Sequence, residues 1–327
     1  MSSIRKYKHD NFICLTLENK NLLVEFLPEI GGKMIHLYDK VNGREWLLGP
    51  QSKDRKYRSA NYGDSFETYD TSGFDECFPT IEKSYSLPTS NATNHLLEFP
   101  DHGELWSRGW DYEIGDDQIK LSISGVGVSY IFSKNIFLED NRIIIEYTLE
   151  NRSSSSFKYI WSAHPLLSIS PGSKIIIPQN VNKVFLNWSS DNAMGKFGDM
   201  ISWPHLKLNG INIDLSLVPD KKFGAAIKCF TDLLTEGLAA VFDERMNHSI
   251  AFRFDVKEIS HIGIWLCYGG WPTTSDAKHF TIGLEPCKGR PDSLQRSIES
   301  GECAVIGAQE TQKWSLDISV WTGLPKK

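Results

Sequence analysis

Apolar and polar residues alternate with a period of two along most of the chain, and this excludes most architectures. The pattern is clearest over 12–17, 22–27, 119–123, 142–149, 250–254, 262–267 and 314–320. Alternation of this kind places every second side chain on a core and its neighbour toward water, as in a half-buried β-strand. Turn chemistry punctuates the runs at Asn42-Gly43, Glu139-Asp140-Asn141, Pro171-Gly172, Asn209-Gly210 and Pro219-Asp220. A helical period is nearly absent. One short helix is predicted over 293–299, with Pro291 and Asp292 as a start and Gly301 as a stop. Strands do not alternate with helices, which excludes a Rossmann unit or a TIM barrel. No repeat of fixed spacing and no linker divides the chain, since the polar stretch 152–156 is too short. The reading is all-β: one antiparallel sandwich domain spanning 1–327. The non-periodic stretch 49–76, rich in Tyr, Ser, Asp and Arg, is too long for a hairpin connection and is expected to lie across a binding face.

Composition narrows the partners. The formal net charge is -6, a poor match for a phosphate backbone, so no nucleic-acid partner is expected. No run approaches the roughly 18 apolar residues of a membrane span, and no apolar segment follows the charged start. The cysteines Cys14, Cys77, Cys229, Cys267, Cys287 and Cys303 form no C-x-x-C pair and sit mostly in apolar stretches, as buried free thiols do. The triplets at Asn91, Asn151, Asn187 and Asn247 then read as chance glycosylation matches, and the cytoplasm is the expected compartment. Aromatic residues make up 12% of the chain, suiting both a sandwich core and platforms for sugar rings.

Four segments set ionisable side chains beside Gly or Pro and apolar neighbours, where direction and pKa can be controlled. They are Gly73-Phe-Asp-Glu-Cys-Phe-Pro-Thr80, Asp101-His-Gly-Glu-Leu-Trp106, Trp161-Ser-Ala-His-Pro165 and Gly283-Leu-Glu-Pro-Cys-Lys-Gly-Arg-Pro-Asp292. His164 is expected at the end of a strand over 157–161, His102 in a loop, and Glu285 at a strand boundary aimed into a cleft. His102, His164 and Glu285 could supply a two-histidine, one-carboxylate zinc site, but their gaps of 62 and 121 residues lack the short spacing of a prebuilt metal corner. No metal and no organic cofactor is expected. A glycosidase pair could be drawn from Asp75, Glu76, Glu104 and Glu285 in too many ways to rank. No G-x-S-x-G elbow or phosphate-binding glycine loop is present.

In their order and spacing, the His102, His164-Pro165 and Glu285 segments, with the closing strand over 314–320 after Gly301-Glu302, resemble the aldose 1-epimerase (galactose mutarotase-like) family over roughly 15–320. The resemblance implies a galactose mutarotase-like β-supersandwich that interconverts the α and β anomers of a free aldose. It further implies Glu285 as general base, His164 as general acid and His102 as a second histidine on the sugar. The family's Asn-Arg pair before the first histidine is missing, and its sugar-binding aspartate between the second histidine and the glutamate has no counterpart.

The chemistry suits two separate groups. Ring opening removes the proton of the anomeric hydroxyl and protonates the ring oxygen, which one side chain cannot easily reach together. Attraction between Glu285 and His164 is expected to raise the imidazole's proton affinity. Phe74, Trp106 and Trp271 are candidate sugar platforms; a ring in an aromatic-rich sandwich is more often core, and at least one of the three is expected to be the exception, with Asp75 a further sugar contact. Arg290 is expected on Glu285, on Asp292 or on a sugar hydroxyl, or else in a salt bridge between loops. Two other activities remain in view. Epimerisation of a hexose phosphate would need cations such as Lys53, Arg55, Lys56 and Arg58 near the pocket. A non-catalytic carbohydrate-binding protein would not need an acid opposite a base.

Overall fold

The computed structural model describes residues 2–69, 71–86, 97–208, 210–273 and 277–325; Asn91 and Asn209 lie outside the described residues. Among the described residues the chain forms a twelve-stranded and an eight-stranded antiparallel sheet, three two-stranded ribbons and one α-helix. Each alternating stretch of the sequence lies in a strand, from Phe12–Glu18 to Thr311–Thr322, except that 250–254 runs one residue past His248–Arg253. The helix is Leu294–Ser300, one residue later than expected, because the Ser293 hydroxyl accepts the first-turn N–H of Arg296 at 3.5 Å. Gly301 ends it in the left-handed region at φ 75°. No helix among the described residues is long and apolar enough to cross a membrane.

The two sheets differ in how they meet solvent. In the eight-stranded sheet Gln118–Ser124 keeps strict alternation, with Ile119, Leu121 and Ile123 turned inward. At the centre of the larger sheet, Trp161–Leu167 and Ala225–Thr231 are buried at every position, and Phe280–Lys288 at all but its first. One face of these strands meets the core and the other is covered by loops, so the period-two signal disappears. For this reason the strand at 225–231 has no alternating pattern in the sequence. Within the stretch 49–76, Phe66 and Glu67 line a cavity on the larger sheet, while its end forms the buried strand Phe74–Cys77, paired antiparallel to Trp161–Leu167. One apolar core lies between the sheets, joining Phe26, Trp161 and Ile264 to Phe132, Ile145 and Leu316.

A buried ion pair crosses this core. Glu76, from the larger sheet, is fully buried and receives Lys134 Nζ at 3.2 Å and the Tyr147 hydroxyl at 3.0 Å, both from the smaller sheet. Trp161 Nε1 donates to its other oxygen at 3.0 Å. The Lys134 ammonium also lies 5.2 Å from the Trp110 ring centre and 6.0 Å from that of Phe74. Burial raises the Glu76 carboxyl above its ordinary value, opposed by Lys134, Tyr147 and Trp161. Removing one charge strands the other in a dry core. Glu76→Ala should therefore destabilise the protein by about 3–5 kcal/mol. Replacing both charges with Leu and Met should cost much less, as urea unfolding of the single and double variants will test.

Candidate active site

Two prolines open the ladder where the reactive groups meet. Trp161–Leu167 and Phe280–Lys288 pair through Trp161, Ser162, Leu166 and Leu167, but not through the residues between. Pro165 and Pro286 lie in that gap and have no N–H to donate. His164 and Glu285 therefore sit in mid-strand, not at the strand ends suggested by the sequence. Glycines make room for the carboxylate. A Cβ on Gly283 would lie 3.0 Å from Glu285 Oε1, and one on Gly263 3.1 Å from Oε2.

His164 Nε2 is 3.8 Å from Glu285 Oε1. Lys228 donates a short hydrogen bond to the other oxygen, Oε2, and also lies 3.7 Å from Asp292 Oδ1. Asn187 Nδ2 donates to Asp292 Oδ2 at 2.7 Å. Among the described residues Glu285 Oε1 and His164 Nδ1 have no hydrogen-bond partner. The His102 ring is 5.3 Å from the His164 ring, edge to face, and stacks on Phe66 at 4.0 Å. Asp101 Oδ1 holds His102 Nδ1 at 2.8 Å. The loop turns sharply here: Gly103 has φ 77°, and a Cβ on it would come 2.1 Å from the Phe78 carbonyl oxygen. His102, His164, Lys228, Asp292 and Phe66 all line a cavity of about 590 Å³. Glu285 is fully buried and is not one of the lining side chains; His164 and Lys228, which are, both approach its carboxylate.

The electrostatics reverse one expectation. Burial pushes the His164 imidazole well below its ordinary value, aided by the neighbouring His102, Lys228 and Lys33. The sequence reading has Glu285 raising it, but Lys228 already answers that carboxylate. Burial alone would lower the Lys228 ammonium; Asp292 and Glu285 outweigh it and hold the proton more firmly than usual. The Asp292 carboxyl is raised by burial, against the pull of Lys228. At neutral pH the site therefore holds a neutral imidazole beside an ion-paired carboxylate.

On structural comparison, a galactose mutarotase-like protein from Clostridium acetobutylicum superposes with a TM-score of 0.68 at 14% identity, covering 98% of this chain and 99% of the other. One from Lactobacillus casei gives 0.67 at 15% identity, covering 94% and 100%. A galactose mutarotase related enzyme from Lactobacillus acidophilus gives 0.66 at 11%, covering 97% and 98%. The fold is galactose mutarotase-like. No protein-family model matches the chain, and no curated protein sequence matches it.

On this fold the remaining sequence candidates separate. Trp271 lines the cavity. Phe74 does not: it packs in the core between the sheets. Trp106 is buried under the loop, with Nε1 donating to the Asp101 carbonyl at 2.8 Å and its ring edge-on to Phe66 at 5.1 Å. Asp75 lies opposite His164 in the ladder and binds Lys33 at 2.6 Å. Arg290 grips neither Glu285 nor Asp292; it bonds Glu302 at 2.7 Å and Asp232 at 2.9 Å. Lys53, Lys56 and Arg58 line a different cavity of about 410 Å³ that shares Glu67 with the first, while Arg55 bonds the Pro50 carbonyl. Glu104 is structural, accepting from the Tyr62 and Tyr130 hydroxyls and from two backbone N–H groups.

Sequence reasoning misses Lys228 and the cavity role of Asp292. A signal for the first exists: a lysine inside the apolar run Ala225–Thr231 is a charge in a buried strand, which demands a buried partner. Lys228→Met should raise the proton affinity of His164, because the nearby Glu285 charge would then go unanswered. Histidine ring resonances followed by NMR across pH 4–8 test this. An unmoved His164 titration in the folded variant would reject the electrostatic account.

Proposed function

We propose that the protein is an aldose 1-epimerase acting on a carbohydrate with a free anomeric centre. The observation that carries this reading is the unpartnered Glu285 Oε1 lying 3.8 Å from His164 Nε2, beside a cavity. The galactose mutarotase-like fold supports it. Glu285 Oε1 takes the proton of the anomeric hydroxyl as the C1–O5 pair withdraws to the ring oxygen. The ring oxygen takes a proton from His164 in its imidazolium form, the minor form at neutral pH, leaving an open-chain aldehyde and a neutral imidazole. Rotation about C1–C2 and the reverse transfers close the opposite anomer. Lys228 keeps Oε2 occupied, so Oε1 is the oxygen that accepts. His102, fixed by Asp101 and Phe66, binds a sugar hydroxyl. The transfers balance without a redox step.

The hexose-phosphate reading has less support. The cations lining this cavity are Lys228, committed to Glu285, and Arg296, whose guanidinium lies 4.1 Å from the Phe197 ring centre.

Anomer exchange measured by NMR on freshly dissolved sugars, normalised to folded protein, tests the proposal. Glu285→Gln should reduce turnover by about 10²-fold or more. His164→Asn should do the same, with the double loss less than multiplicative because both act on one coupled transfer. His102→Asn should weaken binding and turnover together. Near-wild-type exchange by Glu285→Gln would reject the mechanism.

The pH dependence follows from the site. The acid must carry a proton, and burial places its titration well below 6.5, so kcat/KM should already be falling as pH rises toward 7. A flat profile from pH 6 to 8 would reject the imidazolium as the acid.

A further inference from the structure

Anomer exchange leaves one carboxylate of the cavity without a task. Four ionisable groups follow one another in contact order beside the cavity. His164 Nε2 lies 3.8 Å from Glu285 Oε1, Lys228 holds the other oxygen of that carboxylate, and Lys228 in turn lies 3.7 Å from Asp292 Oδ1. The reaction above uses the first three. Asp292 is nevertheless held firmly. Asn187 Nδ2 donates to its Oδ2 at 2.7 Å, and its own backbone N–H donates to Asn187 Oδ1 at 3.2 Å. Its carbonyl accepts the N–H groups of Ile81 and Glu82 at 3.0 and 2.9 Å. Oδ1 has no hydrogen-bond partner among the described residues, and the side chain lines the cavity.

The order of these groups matches the order of atoms in an aldose. Ring oxygen, anomeric carbon and C2 are consecutive. With O5 at His164 and O1 at Glu285, C2 falls on the side away from His164, toward Lys228 and Asp292. The walls there suit developing charge. Trp188 and Trp265 flank Lys228 across the neighbouring strands, their rings are 5.8 Å apart, and both line the cavity. Apolar walls keep water from the ammonium and strengthen its pull on an oxygen that becomes negative. Burial also raises the Asp292 carboxyl above its ordinary value, which improves it as a base.

We propose that Asp292 removes the proton on C2 of the ring-opened sugar, so that the protein also interconverts an aldose and its 2-ketose. The proposal rests on the epimerase reading, which supplies the open-chain aldehyde, and adds a second reaction of that aldehyde. The C2–H electron pair moves into the C1–C2 bond as the carbonyl pair withdraws to O1. O1 recovers the proton that Glu285 took during opening, while Lys228 stabilises the charge that develops there. The product is a neutral enediol. Returning the Asp292 proton to C2 restores the aldose. Delivering it to C1, while Glu285 takes the O2 proton, gives the ketose. C1 is reduced as C2 is oxidised within one molecule, so no outside oxidant or reductant is needed.

The test follows glucose, galactose, mannose and xylose by NMR in deuterium oxide. Anomer exchange, loss of the C2 proton signal and appearance of the ketose are recorded in the same tube. At least one aldose should yield its ketose with the wild-type protein. In Asp292→Asn the ratio of ketose formation to anomer exchange should fall by about 10²-fold or more. A purely structural role would instead lower both rates together. Anomer exchange with no ketose and no deuterium at C2 for every sugar would overturn this inference and leave the epimerase reading standing. So would an unchanged ratio in folded Asp292→Asn. Ketose formation without protein-dependent anomer exchange would support Asp292 as the base and reject the epimerase reading. Absence of all three signals would overturn both.

Discussion

The Glu76–Lys134 pair sets the position of nearly everything else. A carboxylate and an ammonium taken wholly out of water are tolerated only with close partners, and each of these charges comes from a different sheet. The pair therefore acts as a registration peg between the layers, with Tyr147 and Trp161 satisfying the remaining acceptor capacity of the carboxylate. Glu76 belongs to the short strand Phe74–Cys77, in which successive side chains point to opposite faces. Fixing Glu76 into the core consequently turns Asp75 to the other face, against Lys33 and opposite His164 in the ladder. The inter-sheet contact and the reactive face are two sides of one strand.

The same requirement organises the site. Buried charge is balanced pair by pair: Lys33 with Asp75, and Lys228 with Glu285 and Asp292. His164, packed among them and shielded by Phe66, is left neutral by burial. The prolines on both flanking strands remove ladder bonds, and the glycines beside the carboxylate remove side-chain bulk. Together they leave a gap where Glu285 Oε1 and His164 meet without being bonded to each other. An acid–base pair needs that separation, since a direct hydrogen bond between the two would compete with substrate.

Legibility in the sequence followed exposure. Strands with one wet face, such as Gln118–Ser124 and Arg142–Asn151, carry the alternation that announces them. Among the strands covered on both faces, Trp161–Leu167 and the strand bearing Lys228 carry no such alternation. Among the site candidates, His102, His164 and Glu285 stand out because polar groups beside Gly and Pro are unusual in aromatic surroundings, and the fold brings all three together. Phe74 and Trp106 stand out for their rings alone. Ring chemistry cannot distinguish a platform from a core residue, and both are buried away from the cavity. Arg290 is adjacent to the right segment, yet its side chain reaches Glu302 and Asp232.

By itself, then, the sequence determined the class of the fold, the turns that join its strands, the short helix and the residue types available for proton transfer. These depend on local geometry, which reaches only a few residues along the chain. Tertiary structure alone decided which charges became neighbours. Lys228 and Glu285 are 57 residues apart in the chain and bonded in space, and that contact, with burial, sets the protonation of His164. Coulomb energy and desolvation depend on distance and surroundings in three dimensions, so no local pattern could carry the sign of that effect.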